Sequence, residues 1–139
     1  MATDQQQITL EVVTPERRVL ELQVDEVVFP SNDGYMGVLA GHAPLLALVD
    51  IGELSYRIGK TRSFLAVSSG YAEVLRESVS IMAQTSEKAE EIDLARAERA
   101  KQRAESELKG PTPEDGFRHA ELRLKRAISR IGARQRLGS

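Results

Sequence analysis

The feature that most constrains this chain is a change in hydrophobic period near residue 85. Up to Ala83, apolar side chains alternate with period two in short runs. From Ser86 to Leu137 they recur every three or four residues among charged residues and alanines. The first pattern is typical of half-buried strands and the second of amphipathic helices. The sequence therefore predicts two parts: an N-terminal antiparallel β-sandwich over residues 1–85, then a C-terminal antiparallel α-helical hairpin over residues 86–139.

Turn signals in the second half divide it into two helices. Lys109 and Gly110 close the first helix and Pro111 prevents its continuation, while Thr112 is predicted to cap the second, with Pro113 at its first position. We expect the second helix to end at Gly132. The predicted seam residues are Asp93, Ala97, Ala100, Ala104 and Leu108 in the first helix and Phe117, Ala120, Leu124, Ala127 and Ile131 in the second.

A seam made largely of alanine buries little apolar surface, since each methylene-sized group contributes only about 0.8 kcal/mol. Closure of the hairpin is therefore expected to be marginal. A ligand present at about 100 times its dissociation constant supplies roughly 2.7 kcal/mol, enough to decide whether such a hairpin opens. A static hairpin that caps the sandwich is the alternative, and periodicity does not separate the two.

The first half has the short, regularly spaced apolar runs of a compact antiparallel sandwich. The longest predicted loop extends from Ser31 to Pro44 and contains three glycines. It is either a partner-binding loop or a wide turn whose glycines adopt positive φ. The predicted strands contain Ile8, Leu10 and Val12; Leu22 and Val24; Val27 and Phe29; Leu54, Tyr56 and Ile58; and residues 64–67, 71–75 and 79–83.

Charge is distributed unequally between the two parts. Residues 1–85 carry 6 Lys and Arg against 11 Asp and Glu, whereas residues 86–139 carry 13 against 10. The second predicted helix is strongly basic, which indicates an acidic partner. A solvated charged face is the plain alternative. Nucleic acid is a third one, disfavoured because the basic segment lacks interleaved aromatic side chains.

Sequence motifs for catalysis or metal binding are missing. The chain has no cysteine, and its two histidines, His42 and His119, lack a second ligand at metal-binding spacing. No serine lies in a nucleophile elbow, and no apolar run approaches the ~20 residues that span a bilayer. We therefore expect a non-catalytic chain with no metal and no membrane-spanning segment, in a reducing cytoplasmic setting.

Three segments resemble one known family. Residues 37–46 read GVLAGHAPLL, residues 67–74 read VSSGYAEV, and residues 92–97 read IDLARA. Together with the helical hairpin, they resemble the epsilon subunit of the bacterial rotary (F-type) ATP synthase over nearly the whole chain. The resemblance implies a non-catalytic central-stalk subunit that couples proton flow through the c ring to ATP synthesis. It would be peripheral, on the cytoplasmic side of the bacterial plasma membrane, and membrane-associated only through the complex.

The partners that the resemblance implies are the gamma subunit, the c ring and the alpha and beta subunits. The sandwich would sit on gamma and the c ring, with the long loop against the ring. The hairpin would extend into the catalytic head and inhibit ATP hydrolysis through its basic helix. The implied c-ring residues are Ser31, Asn32, Asp33, Gly34, Tyr35, Met36 and His42, and those implied to meet beta are Arg118, Arg123, Lys125, Arg126, Arg130 and Arg134.

In some members of this family ATP binds the folded hairpin as a regulatory ligand, and no cofactor is required. An antiparallel hairpin about residues 110–111 would bring the matching arginines to one flank, where guanidinium groups suit a triphosphate. The alternative is a simple exposed ion pair of Asp93 with Arg96 or Arg130. A stand-alone adaptor that binds nucleic acid or an acidic protein is the alternative function. The matching ATP positions are Glu87, Ile92, Asp93, Arg96, Ala97, Arg103, Arg126 and Arg130.

Overall fold

The computed structural model describes residues 6–111 and 113–137. Within these residues the chain forms ten strands, one 3₁₀ turn and two helices. The strands are β1 (Ile8–Val13), β2 (Arg18–Val24), β3 (Glu26–Ser31), β4 (Gly34–Val38), β5 (Leu45–Val49), β6 (Gly52–Ile58), β7 (Thr61–Val67), β8 (Gly70–Val74), β9 (Ser78–Ala83) and β10 (Ser86–Lys88). The 3₁₀ turn covers Ala89–Glu91, and the helices are α1 (Leu94–Lys109) and α2 (Glu114–Gln135).

The strands form one hydrogen-bonded sheet that folds over a single core. Their order is β10-β7-β6-β3-β5-β8-β9-β1-β2, with β4 paired to the free side of β3 near the middle. One layer of the sandwich contains β10, β7, β6, β3 and β4, and the other contains β5, β8, β9, β1 and β2. The two layers are joined narrowly, because β3 and β5 pair only at Ser31 and Val49. Buried side chains of both layers, including Leu10, Leu54 and Ile81, belong to one cluster. The predicted β-sandwich is therefore confirmed.

Two details of the sheet differ from the prediction. The pair of β1 and β9 is parallel, with Leu10 opposite Val79, so the sandwich is not wholly antiparallel. Parallel pairing joins segments far apart in the chain, and local periodicity carries no information about such a partner. The predicted long loop also contains a strand, β4 (Gly34–Val38). Ser31 pairs with Gly34 across a tight turn, β4 returns along β3, and β5 follows after Pro44.

The hairpin is confirmed, although its limits differ from those predicted. Residues Ser86–Lys88 form a strand paired with β7, so the helical part begins only at Leu94. Asp93 is the N-cap of α1, and its carboxylate accepts a hydrogen bond from the Arg96 backbone N–H. It therefore does not lie in the seam. The division of the chain after residue 85 stays a prediction.

The second helix starts and ends differently from the prediction. It runs to Gln135, past the glycine at position 132, and Pro113 is its N-cap rather than its first helical residue. The predicted Thr112 cap lies outside the described residues. The seam itself is largely as expected, since Ala97, Ala104, Ala120, Ala127 and Ile131 are buried. Phe117 is 41% exposed near the turn that joins the two helices, so it does not lie in the buried part of the seam.

Candidate functional site between the helical hairpin and the sandwich

The C-terminal half of α2 holds the hairpin against the sandwich. The Ser129 hydroxyl donates to the Gly52 carbonyl at 2.5 Å, and Arg136 Nε donates to Glu53 Oε1 at 2.7 Å. The Glu53 carboxylate also lies beside Gly132, where an added Cβ would come within 2.2 Å of its Oε2 atom. Residues Gly52 and Glu53 at the start of β6 therefore form the main polar contact of the hairpin.

Arg136 makes a further contact with the sandwich. Its guanidinium lies 5.2 Å from the centroid of the Phe64 ring, within the range of a cation–π interaction. The hydrogen bond to Glu53 raises the pKa of Arg136 above its ordinary value, so this cation stays charged. More than half of its side chain is exposed, which limits what the ion pair contributes to docking.

The apolar part of this contact is small. One cluster joins Ala133 of α2 to Ala66 of β7, to Ala89 in the 3₁₀ turn and to Ile92 just after it, with Phe64 packed against its edge. Three alanine methyls at about 0.8 kcal/mol each and one isoleucine at about 2 kcal/mol together contribute about 4 kcal/mol. The area buried therefore keeps docking of the hairpin weak relative to the sandwich core.

A cleft of about 710 Å³ opens between α1, α2 and the end of the sandwich. It is lined by seven of the eight residues that the resemblance assigns to ATP, and by the β1–β2 turn at Thr14, Glu16 and Arg17. Those seven are Glu87, Ile92, Asp93, Arg96, Ala97, Arg103 and Arg130. The structure thus brings together residues that are up to 43 positions apart in the chain.

A smaller cleft of about 450 Å³ adjoins the first and shares Arg103 and Arg130 with it. Arg126, the eighth predicted residue, lines this smaller cleft, and so does Arg123. Its other wall carries hydroxyl groups of the sandwich, where Ser68 Oγ and Thr85 Oγ1 lie 2.7 Å apart. Four guanidinium groups therefore converge on the smaller cleft.

Two of these four arginines have carboxylate partners. Arg130 Nε donates to Glu87 Oε1 at 2.7 Å, and Arg123 pairs with Glu107 across the two helices. Within residues 6–111 and 113–137, no carboxylate lies within ion-pair distance of Arg103 or Arg126. Guanidinium groups without partners in a cleft are suited to bind an anion such as a phosphate.

Glu91 forms hydrogen bonds to two neighbouring segments at the rim of the larger cleft. Its Oε1 atom accepts hydrogen bonds from Arg17 Nη2 and from the Lys88 backbone N–H, both at 3.2 Å. Burial raises the pKa of Glu91, but these two hydrogen bonds and the nearby cations outweigh it and lower that pKa overall. Glu91 thus stays ionised and links the β1–β2 turn to the 3₁₀ turn.

The basic residues predicted to meet an acidic segment of beta do not share one surface while the hairpin is docked. Arg118 and Lys125 are exposed, whereas Arg126 and Arg130 point into the clefts and Arg123 is paired with Glu107. Arg134 is half-buried. No single basic face is therefore available while the hairpin is docked.

The predicted c-ring residues lie at two places in the sandwich. Ser31 to Met36 form the tight β3–β4 turn, where the Ser31 hydroxyl donates to the Gly34 carbonyl at 2.5 Å and Gly34 has φ of 114°. Tyr35 is 63% exposed beside this turn. His42 follows the far end of β4, next to Gly41, whose N–H donates to Arg76 O at 2.8 Å. A strand about 13 Å long separates the two places.

An apolar row is exposed on the second layer of the sandwich. Leu48, Tyr71 and Met82 are direct cross-strand partners on β5, β8 and β9, and each is more than 40% exposed. Leu46 lies two residues before Leu48 on the same face and is 73% exposed. Side chains of this size aligned across three strands mark an interaction surface.

Sequence reasoning missed the residues that dock α2. Glu53, Phe64, Ser129, Gly132 and Arg136 were not predicted as docking residues, because their contacts join positions 72 or more residues apart in the chain. One signal was present: the small residues Ser129, Gly132 and Ala133 interrupt the bulky pattern of α2, which indicates close approach of another backbone.

The described residues show no feature of a metal or membrane-spanning site. Residues 6–111 and 113–137 contain no group of three or more His, Asp or Glu side chains placed to hold a metal ion. Neither described helix is long and apolar enough to cross a membrane.

Comparison with known proteins identifies the family of both parts. Residues 7–89 match the family model described as ATP synthase, Delta/Epsilon chain, beta-sandwich domain. Residues 90–135 match the model described as ATP synthase, Delta/Epsilon chain, long alpha-helix domain. The ATP synthase epsilon chain of Syntrophobacter fumaroxidans is 45% identical over 91% of this chain and 94% of its own length. That of Citrifermentans bemidjiense is 46% identical over 91% and 92%, respectively.

Solved structures agree with this result. A chain in the cryo-EM structure of Euglena gracilis mitochondrial ATP synthase, comprising OSCP, F1 and the c-ring, superposes with a TM-score of 0.81 and 26% identity, over 91% of this chain and 81% of that one. A chain of the central stalk and c-ring of Tetrahymena thermophila mitochondrial ATP synthase shares the fold, with a TM-score of 0.64 at 15% identity over 95% and 99%. The sandwich, the helical hairpin and these matches over residues 7–135 together establish that the chain belongs to the family of ATP synthase epsilon subunits.

Proposed function

We propose that this chain is a non-catalytic subunit of the central stalk, which couples proton flow through a c ring to ATP synthesis and restrains ATP hydrolysis with its helical hairpin. Family membership supports the first role. The second is carried by one observation: the hairpin docks on the sandwich through a few polar contacts and a cluster of mostly alanine side chains. Such a part can leave a stable core without unfolding it.

The sandwich offers two separate attachment surfaces for the rotor. The exposed β3–β4 turn around Tyr35 is the proposed contact with the c ring, and the apolar row Leu46, Leu48, Tyr71 and Met82 is the proposed contact with gamma. His42 lies at the other end of the sheet from the turn, so we assign it to the gamma side. Replacing Leu48 and Met82 together by Ser is expected to abolish co-purification with gamma, whereas Ile58→Ser on another exposed face serves as the control.

As a brake, the hairpin undocks and its basic second helix meets an acidic segment of a beta subunit. Truncation tests this best when it begins after Asp93, because Ser86–Lys88 belongs to the sheet. The truncated subunit is expected to support assembly while ATP hydrolysis by the complex rises. Unchanged hydrolysis would contradict the brake.

A reversible lock gives a second test on the full chain. The chain has no native cysteine, so cysteines at Ala66 and Ala133, which pack in one cluster, can be bridged to hold α2 on the sandwich. The locked complex is expected to hydrolyse ATP faster than the reduced one. Equal rates before and after reduction would show that undocking does not regulate the motor.

ATP is proposed as the ligand that keeps the hairpin docked. The converging guanidinium groups of the two clefts support this, and Arg103 and Arg126 have no carboxylate partner among the described residues. Arg126 and Arg130 belong both to the proposed ATP site and to the proposed contact with beta. The same side chains cannot serve both at once, so bound ATP would oppose the brake.

Calorimetric titration of the isolated chain tests ATP binding. Saturable heat is expected with wild type and with Arg99→Ala, an exposed arginine of α1 outside both clefts. Arg126→Ala is expected to weaken binding at least tenfold, since a hydrogen bond to a charged group contributes about 1.5–3 kcal/mol. Equal affinities for the two variants would exclude Arg126 from the site.

The proposed location is the cytoplasmic side of a bacterial plasma membrane, reached only through the assembled complex. Wild-type chain is expected on membranes that carry the whole synthase and to be released when the catalytic head is stripped off. Binding to membranes that lack both the catalytic head and the c ring would indicate a direct lipid contact instead.

A further inference from the structure

The smaller cleft contains a charged pair that the proposed ATP site does not include. Arg123 of α2 and Glu107 of α1 both line the cleft and form an ion pair across the two helices. Both side chains are nearly half exposed, so neither is locked in place by packing. An exposed pair of this kind is weak and easily exchanged for another partner.

The other charged side chains that line this cleft are all positive. Besides Arg123, the cleft is lined by Arg103, Arg126 and Arg130, and Glu107 is the only carboxylate among its described lining residues. The opposite wall carries Ser68, Ser69 and Thr85, whose hydroxyl groups can donate to an anion. Glu107 thus occupies, with its negative charge, a place where phosphate oxygens would find several donors.

We propose that Glu107 is the resident counter-ion of the smaller cleft, and that the outer phosphates of a nucleoside triphosphate displace it from Arg123. This inference rests on the nucleotide binding proposed above and concerns what sets its affinity. Arg123 becomes a further phosphate ligand, and Glu107 becomes an internal competitor. The carboxylate favours the triphosphate-free hairpin and lowers affinity for every ligand that brings negative charge into this cleft.

The sign of one substitution separates this role from a merely structural one. If Glu107 only helps to hold α1 against α2, Glu107→Gln loosens the hairpin and weakens ATP binding. If it is a competitor, the same substitution frees Arg123, removes a repelling charge and tightens ATP binding. Two unit charges about 4 Å apart interact by about 1 kcal/mol even in water. We therefore expect affinity for ATP to increase about fivefold.

Calorimetry on the full chain tests the proposal with matched controls. Glu105→Gln makes the same charge change two residues away, outside both clefts. Glu107→Gln should bind ATP about fivefold more tightly than Glu105→Gln, and Arg123→Gln about fivefold more weakly than wild type. In an Arg123→Gln background, Glu107→Gln should gain clearly less, because the competing partner is gone. AMP, which lacks the outer phosphates, should bind both glutamine variants alike.

The possible outcomes separate a failure of the counter-ion role from a failure of the proposed nucleotide binding. If wild type shows no saturable heat with ATP, the proposed nucleotide binding fails, and the counter-ion role fails with it. If wild type binds ATP but Glu107→Gln binds equally or more weakly than Glu105→Gln, the counter-ion role is overturned while nucleotide binding stands. Thermal unfolding of each variant confirms that the sandwich remains folded.

Discussion

Replacement of Ser129 by Ala tests whether the hairpin is held on the sandwich by a few local contacts. Ser129 is 5% exposed, and its hydroxyl donates to the Gly52 carbonyl. Loss of one such hydrogen bond costs about 0.5–1.5 kcal/mol net. Alanine has the higher helix propensity, but this gain cancels in the docking equilibrium for a helix that undocks as a unit. A loss of about 1 kcal/mol should raise the undocked fraction about fivefold.

Thiol accessibility measures that fraction directly. The chain has no cysteine, and Ala133 on α2 is fully buried against the sandwich. A cysteine at position 133 therefore reacts with a thiol reagent only when α2 leaves the sandwich. In this background Ser129→Ala is expected to increase the labelling rate about fivefold.

Ser106→Ala is the matched control, because Ser106 is an exposed position of α1. It should leave the labelling rate at position 133 unchanged. A second reporter at Ala72, buried in the sandwich core, should stay unreactive in every variant. Equal labelling of the two alanine variants would refute the docking role of Ser129. A parallel rise at position 72 would show that the whole chain loosens instead.

Three further predictions concern the sandwich and the end of α2. Gly70→Ala would place a Cβ 1.8 Å from the Met82 carbonyl oxygen, so thermal unfolding should show a loss of about 2 kcal/mol or more in unfolding free energy. Gly37→Ala is the control, because its added Cβ meets other atoms only at 4.0 Å and should cost less than about 1 kcal/mol. A backbone hydrogen bond from Gly59, helped by Gln7, lowers the pKa of Asp25 below 3.8. Asp25→Asn should therefore be less stable than wild type above about pH 4, with the difference vanishing as the pH falls through the lowered pKa; a constant difference down to pH 2 would contradict this. In the chain with a cysteine at position 133, Arg136→Gln should raise the thiol-labelling rate about two- to fivefold at low salt. This effect should shrink near 1 M salt, where the screening length is about 3 Å. An effect that does not shrink would indicate that Arg136 acts through packing on Phe64.

Local pattern was sufficient for much of the architecture. Period-two runs located seven strands, and the Lys109 to Pro111 break separated the two helices correctly. The motifs at residues 37–46, 67–74 and 92–97 indicated the family that the comparisons then established. The strands missed, β4, β5 and β10, are short or rich in glycine, and their apolar side chains do not alternate cleanly. Their pairing depends on partners elsewhere in the sheet.

Residue pattern alone was enough to locate seven of the ten described strands and the two helices of the hairpin, to show where the basic charge lies, and to indicate the family. The packing of distant segments was needed to show that β1 pairs parallel to β9, that β3 and β4 form a hairpin with His42 at its far end, and that α2 docks on Gly52 and Glu53. It also decided that Glu107 joins Arg123 in the arginine-lined cleft. The reason is physical: periodicity reports which face of a segment avoids water, whereas the partner of that face, and of each charge, depends on how distant segments pack.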